Sequence, residues 1–338
     1  MKNPDTSPRF NDIKISVVVP VRNEEESVRA LIGGLIAQTL PPAEIVITDG
    51  GSTDSTTDVI EEFITNGAPV TLIREQASLP GRARNIAARH CRNDWIAFTD
   101  AGNRLAPGWL ASLAEKVGND ATTDVVYGVY EPVVDTFFKE CAAIAYVPPK
   151  SATPDGWVRP RSIVSALMRR HVWATVGGFP EHLRSAEDLL FMNKIEAAGF
   201  RVARAPTALV HWEIQPTLWR TFKRFVVYSR NNLRAGLWRQ WQAAIFRRYL
   251  LIGITAIPAI FFGIRWLAIP LILWLALMLG RGVKALRQNR QTYPAGPVRN
   301  AFRLLLLMPI IFALDLAAFA GTLWWFVFDK LHLSHNEI

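Results

Sequence analysis

Cysteine is scarce: 338 residues contain two, Cys91 and Cys141. Two such residues give neither a disulfide framework nor a metal-ligand spacing. They read as small buried side chains of a reducing compartment. The opening stretch, MKNPDTSPRFNDIK, has no apolar core. No signal peptide is read there, and the N-terminal region is expected in the cytosol. Two nucleotide-binding loops are also missing. No Gly-Lys-Ser/Thr follows a glycine-rich turn, which excludes a P-loop, and GxGxxG is absent, which excludes the dinucleotide fingerprint. No internal repeat or low-complexity segment stands out.

Positive charge and apolar residues are in excess. The formal charge is +9 and half of the residues are hydrophobic. The basic residues cluster beside apolar segments. That placement favours anionic lipid as the partner over nucleic acid.

From Lys14 to about Glu213 the pattern alternates strand and helix. KISVVVPV is a β-branched run, read as a strand buried on both faces. NEEESVRALIGGLIAQ follows at helical spacing, with its acids where the helix dipole favours them. EIVITDG, VTLIRE and WIAFTD are further strands, and STDSTTDVIEEFI, GRARNIAARHC and APGWLASLAEKV are helices. This alternation predicts an α/β fold: an open, mostly parallel sheet with helices on both faces. Ligands on such sheets lie at the carboxyl ends of the strands, where Val21, Asp49 and Asp100 fall.

The composition changes after residue 214. PTLWRTFKRFVVYSRNNLRAGLWRQWQAAIFRR, within 215–248, sets Trp219, Phe222, Phe225 and Leu233 at roughly helical spacing among Arg and Lys. Such a helix suits the interface of an anionic membrane, and equally suits packing on a neighbouring domain. Tyr249 to Gly280 contains one charge, Arg265. As one helix it would be about 48 Å long, well over a hydrocarbon core of ~30 Å, so a hairpin is expected. Leu304 to Phe328 is interrupted by Asp315 alone. The loop between, from Arg281 to Asn300, has five Lys or Arg and no acid, which places it in the cytosol. The expectation is three spans, 249–264, 266–280 and 303–328, with tails at 1–13 and 329–338 and the last tail outside.

Several residues could carry chemistry. Asp49 ends a strand before Gly50 and Gly51; it is a turn residue or an acceptor for a base or ribose hydroxyl. Arg82, Arg84 and Asn85 open a helix, where cations and backbone amides make an anion site. Glu187 and Asp188 begin another helix, as dipole compensation or as a general base. His211 ends the apolar run TALVHWE.

In order and spacing, VVVPVRNEE, EIVITDGGSTDST, GRARNIAARH, WIAFTDAGNRLAPGWL, VGGFPEHLRSAED and LVHW resemble the family 2 glycosyltransferases, which have the GT-A fold. The resemblance covers Ile15 to Trp212, residues 14–214 forming the expected catalytic domain. It implies an inverting enzyme of cell-envelope glycan biosynthesis that moves a sugar from a nucleotide-sugar to a glycan or glycolipid acceptor. Pro20, Val21, Asn23 and Glu24 would frame the nucleotide and Asp49 would face the base, with Gly51, Arg82, Arg84 and Asn85 beside them. Asp100 would open the DxD motif, and Asp188 would be the base, with Glu187 beside it. The motif here reads Asp100-Ala101-Gly102, so its second acid is missing. A divalent metal, Mn²⁺ or Mg²⁺, would then rest on Asp100, His211 and the diphosphate, with Asn103 as an extra ligand; the alternative is a metal-free site neutralised by Arg82 and Arg84. The expected setting is a plasma or inner membrane, multi-pass, with the catalytic domain cytosolic. A processive polysaccharide synthase is one alternative, although Gln215, Trp219 and Arg220 do not reproduce the Gln-x-x-Arg-Trp of processive members. A catalytically silent sugar-nucleotide-binding scaffold is the other.

Overall fold

The computed structural model describes residues 12–154 and 156–331, so the expected tails fall largely outside the described residues. The chain divides into two compact units, one of residues 1–133 and 150–213, the other of 134–149 and 214–338.

In the first unit, β1 (Ile15–Val21), α1 (Glu25–Ile36), β2 (Glu44–Asp49), α2 (Thr56–Thr65), β3 (Val70–Arg74), α3 (Pro80–His90), β4 (Trp95–Phe98), β5 (Arg104–Leu105), α4 (Trp109–Asn119) and β6 (Val125–Val133) follow in order. Helix α5 (Phe137–Tyr146) leaves for the second unit. The chain returns as β7 (Ser151–Thr153), β8 (Gly156–Val158), β9 (Ala166–Arg169), α6 (Arg170–Thr175), α7 (Glu187–Ala197) and β10 (Val202–Glu213). Eight strands form one sheet in the order β3-β2-β1-β4-β9-β6-β10-β5. β3, β2, β1 and β4 are parallel, as are β6 and β10. β9 runs antiparallel to both its neighbours, and β5 to β10. The sheet is therefore mixed.

Packing follows from the sequence. Val17, Val18 and Val19 are fully buried, because helices cover both faces of β1. α1 turns Val28, Leu31, Ile32 and Leu35 inward, the i, i+3, i+4, i+7 stripe of an amphipathic helix. Trp109 is buried too, and its indole Nε1 donates to Ser165 Oγ at 2.9 Å, so its one polar atom is satisfied. Register pairs Val21 with Asp49 and Val18 with Phe98, which brings the loops after β1, β2 and β4 to one edge of the sheet.

The second unit is helical: α5, α8 (Leu218–Arg234), α9 (Trp238–Trp241), α10 (Ala243–Ile254), α11 (Pro258–Phe262), α12 (Ala268–Gln288) and α13 (Pro297–Trp324). The sequence reading places residues 134–149 in the first region. They group here because Cys141 and Ile144 of α5 join one apolar cluster with Leu307, Ile310 and Ile311 of α13. The expected single helix over 215–248 is instead three pieces. Gly236, at φ +73°, ends α8 in the left-handed region that glycine adopts at helix ends. Ala243–Phe262, Ile264–Gln288 and Pro297–Lys330 are long and apolar enough to cross a membrane.

Candidate active site

The loop after β1 and the turn after β2 are bonded together. Asn23 stands at φ +55°; its amide donates to Ser52 Oγ at 2.9 Å, and its Oδ1 accepts from the Thr53 amide at 2.8 Å. The Glu24 amide donates to Thr56 Oγ1 at 2.7 Å. Asp49 is buried, and its carboxylate accepts from the amides of Gly51 and Ser52 at 3.2 and 3.1 Å. Its first task is thus to close the turn; an ionised carboxylate keeps further lone pairs for a ligand. Gly50 has no room for a side chain, since a Cβ would lie 2.7 Å from the Ser78 carbonyl. That close approach sets the loop before α3 against the turn.

α3 begins with Pro80 at its first position, which suits a residue without an amide hydrogen. A Cβ on Gly81 would collide with the Pro180 carbonyl and stand 3.3 Å from Glu187 Cγ. Arg82 is half exposed and lies between Glu75, at 2.5 Å, and Glu181, at 3.4 Å. Asn85 faces inward and spends its amide on the loop ahead of α7. Its Nδ2 donates to Phe179 O and Glu181 Oε1, both at 2.9 Å, and its Oδ1 accepts from the Phe179 amide and Trp173 Nε1. Asn85 therefore positions that loop. Gly178, at φ +68°, packs so closely that a Cβ would lie 2.5 Å from Asn85 Oδ1. Gly178→Ala is expected to cost about 1–3 kcal/mol, the range for a strained backbone position, and to lower the apparent melting temperature by several degrees. An unchanged melting curve would show that this contact relaxes freely.

Arg84 is the centre of the site. It is buried, and its guanidinium spans two carboxylates: Nη2 donates to Asp100 Oδ1 at 2.6 Å and Nη1 to Glu187 Oε1 at 2.7 Å. The Phe179 ring lies under it, 5.4 Å from centroid to guanidinium carbon. Glu187 is buried as well, and its Oε2 has no hydrogen-bond partner among the described residues. Ala186, just before it, is held at φ +70°, an uncommon conformation for a residue with a side chain. Asp188 accepts from the Leu189 amide at 2.8 Å. Burial pushes the Asp188 carboxyl up, against the pull of Arg84. Burial also raises Glu187, Arg84 opposes it, and the neighbouring Asp188 adds to the rise.

Charges at this cluster do not balance. Asp100, Glu187 and Asp188 are three carboxylates, and among the described residues the cation paired here is Arg84, bonded to Asp100 and Glu187. Among the described residues no group of three or more His, Cys, Asp or Glu side chains converges on a common point. His211 lies on β10, paired in register with Arg104 and Glu131. Asp100 has a one-third exposed side chain, and its Oδ2 has no hydrogen-bond partner among the described residues. Gly102, at φ +81°, stands where the sequence motif lacks its second acid, and the Glu24 carboxylate comes within 3.8 Å of where a Cβ would be. These residues fit a divalent cation only as a partial shell. Asp100 would hold it, Glu24 would add charge nearby, and an anionic ligand and water would complete it.

The sequence reading singles out Arg84 and Glu187 for separate reasons and gives no sign that they pair. It misses Glu131 and Arg159 altogether. The Arg159 side chain is fully buried and its Nη2 lies 2.9 Å from Glu131 Oε2, while Lys150 Nζ lies 2.7 Å from Oε1. This ion pair fastens the β7–β8 segment to β6.

Residues 16–172 match the model of Glycosyl transferase family 2. The chain is 25% identical over 300 residues to the succinoglycan biosynthesis protein ExoA of Rhizobium meliloti (strain 1021), covering 83% of this chain and 88% of that one. It is 27% identical over 204 residues to the poly(ribitol-phosphate) beta-N-acetylglucosaminyltransferase TarS of Staphylococcus aureus (strain Mu50 / ATCC 700699), covering 56% of this chain and 34% of the relative. Among solved structures, the mannosyltransferase PcManGT from Pyrobaculum calidifontis, in complex with GDP-Man and Mn²⁺, aligns with a TM-score of 0.54 and 20% identity over 97% of this chain and 92% of that one. That likeness fixes the fold as GT-A. The mixed sheet and the family match together mark residues 16–172 as a Glycosyl transferase family 2 domain and the protein as a glycosyltransferase.

Proposed function

We propose that the protein is a membrane-anchored inverting transferase that uses a nucleotide-sugar donor and a lipid-linked or membrane-proximal acceptor. The catalytic unit faces the cytosol. The observation that carries this reading is the Arg84 bridge, because it ties the strand-end acid Asp100 to the helix that bears Asp188. The acceptor hydroxyl oxygen forms the new bond to the anomeric carbon. The nucleoside diphosphate leaves with the electron pair of the bond that breaks. Asp188 takes the hydroxyl proton, for which its raised pKa suits it. Glu187 stays tied to Arg84 and holds the first turn of α7 in place. Asn23, Glu24, Asp49 and Gly51 wall the nucleotide side, with Pro20 and Val21 at the end of β1. When bound, a divalent cation would offset the charge of the departing diphosphate.

A panel of nucleotide-sugars tests the reading on the purified full chain. One donor class should be turned over, and release of its nucleoside diphosphate should rise with added acceptor lipid extract. Failure with every donor would sink the proposal. Binding of the nucleoside diphosphate should tighten at least tenfold with Mn²⁺, and Asp100→Ala should remove that gain. Affinity unmoved by chelation would make Arg82 and Arg84 the counter-charges instead.

A further inference from the structure

Composition and length allow α13 to cross a bilayer, but its contacts within the helical unit follow a different course. At its start, Arg303 Nε donates to Glu140 Oε1 of α5 at 2.6 Å. Towards its end, Gly321 admits α8 so closely that a Cβ would lie 2.5 Å from the Val226 carbonyl. The π-helical turn that continues α13 carries Asp329, which pairs with Arg230 at 2.8 Å and Arg234 at 2.5 Å, both of α8. Tyr146 of α5 meets Phe225 of α8 with ring centroids 4.9 Å apart, so α5 and α8 coat α13 one after the other.

Neither coating helix can sit across the membrane. α5 has 10 residues, about 15 Å, and both its ends join strand-bearing segments within a few residues. It cannot reach through a core of ~30 Å and return. α8 carries Arg220, Lys223, Arg224, Arg230 and Arg234 within 17 residues, too much charge for hydrocarbon. Both ends of α13 are therefore tied to helices on the side of the catalytic unit.

The contacts between α13 and the apolar hairpin agree. Asp315 accepts from Tyr249 Oη at 3.0 Å and pairs with Arg281, one residue on each arm at the hairpin's base. Four residues on, Phe319 meets Tyr249 edge-to-face at 5.4 Å and Phe246 at a tilt at 4.9 Å. Phe312 reaches inward as far as Trp274 of α12, at 5.1 Å, but Phe319, seven residues on, has moved to Tyr249 and Phe246, away from the tip at Gly263, so α13 crosses the base half of the hairpin. Ile260, Phe261 and Ile264 near the tip are more than 70% exposed. The outer face of α13 is an apolar stripe, Val298, Phe302, Leu305, Leu316 and Leu323, all exposed and spaced by whole helical turns.

We propose that α13 lies in the plane of the membrane interface, across the base half of the hairpin, with its stripe against the lipid of one leaflet. It is a strap and not a span, and the chain leaves the bilayer on the side from which it entered. The inference rests on the membrane reading above, which is tested separately by retention of the full chain in carbonate-washed membranes. Release by that wash would overturn both.

Single cysteines test the topology itself. Cys91 and Cys141 are buried, so a membrane-impermeant maleimide should leave them alone in the folded protein. Lys330→Cys reports the end of α13, and Asp58→Cys, on an exposed helix face, reports the catalytic unit. Both are expected to react in inside-out vesicles and to stay at least tenfold less labelled in spheroplasts. Reaction of both only in spheroplasts would keep the strap and reverse the orientation. Labelling of the two from opposite sides would overturn the proposal, as would a Lys330→Cys variant that reacts from neither side.

Discussion

Asp188→Asn should lower turnover by about 10²–10⁴-fold, the usual cost of losing general-base help, while donor affinity stays near the parent value. The substitution removes proton acceptance and nearly preserves shape. The Leu189 amide can still donate to the Asn side-chain oxygen, so the start of α7 should hold. In the parent, activity should need the ionised base. Because burial raises the Asp188 carboxyl, the acid limb of the rate profile should lie above the ordinary aspartate range of about 4. Activity is lost as pH falls through that limb and recovered as pH rises. A purely capping Asp188 gives the reverse pattern, near-normal turnover with a small loss of stability. Turnover and donor affinity measured on the same variant separate the two, and parent-like transfer would remove Asp188 from the mechanism.

Much of the first unit was legible because each strand and helix has a strong local signal. The valines of β1 sit in a run too apolar for a solvated strand, and α1 carries its stripe at 3.6-residue spacing. The antiparallel insertion of β9 between β4 and β6 was not legible. ALMR has no alternation of its own; its place is set by pairing with strands some 40 and 70 residues away. Within the site, the sequence marks residues by type and order but not by bond. Arg84, Asp100 and Glu187 each stand out alone, yet nothing local says that one guanidinium bridges two carboxylates separated by 87 positions. The membrane region shows the same limit. Hydropathy reads a helix's composition, and α13 passes that test for a span. Which face is covered, and by what, depends on Gly321, Glu140 and Asp329 meeting partners far along the chain.

Arg84→Gln should have the second large effect, and on two quantities at once. It takes the guanidinium from a cluster of three carboxylates and leaves Glu187 buried without its counter-charge. Breaking a buried pair by removing one partner costs about 3–5 kcal/mol. Glu187, already raised by burial, should then take up a proton, which limits the loss. Arg84→Lys should fall between, since one ammonium is a point charge and cannot fork between Asp100 and Glu187 as a guanidinium does. If Arg84 only supports the fold, restoring the fold restores the enzyme. The double variant Arg84→Gln/Glu187→Gln makes that test, because it removes both charges and lets two amides pair. Its melting temperature should recover by more than half of the single variant's loss. Its kcat/KM should remain at least tenfold below the parent, because Asp100 no longer has the donor that orients its carboxylate towards the diphosphate. Recovery of stability and turnover together would reduce Arg84 to scaffolding and move the charge chemistry to Arg82 and the metal.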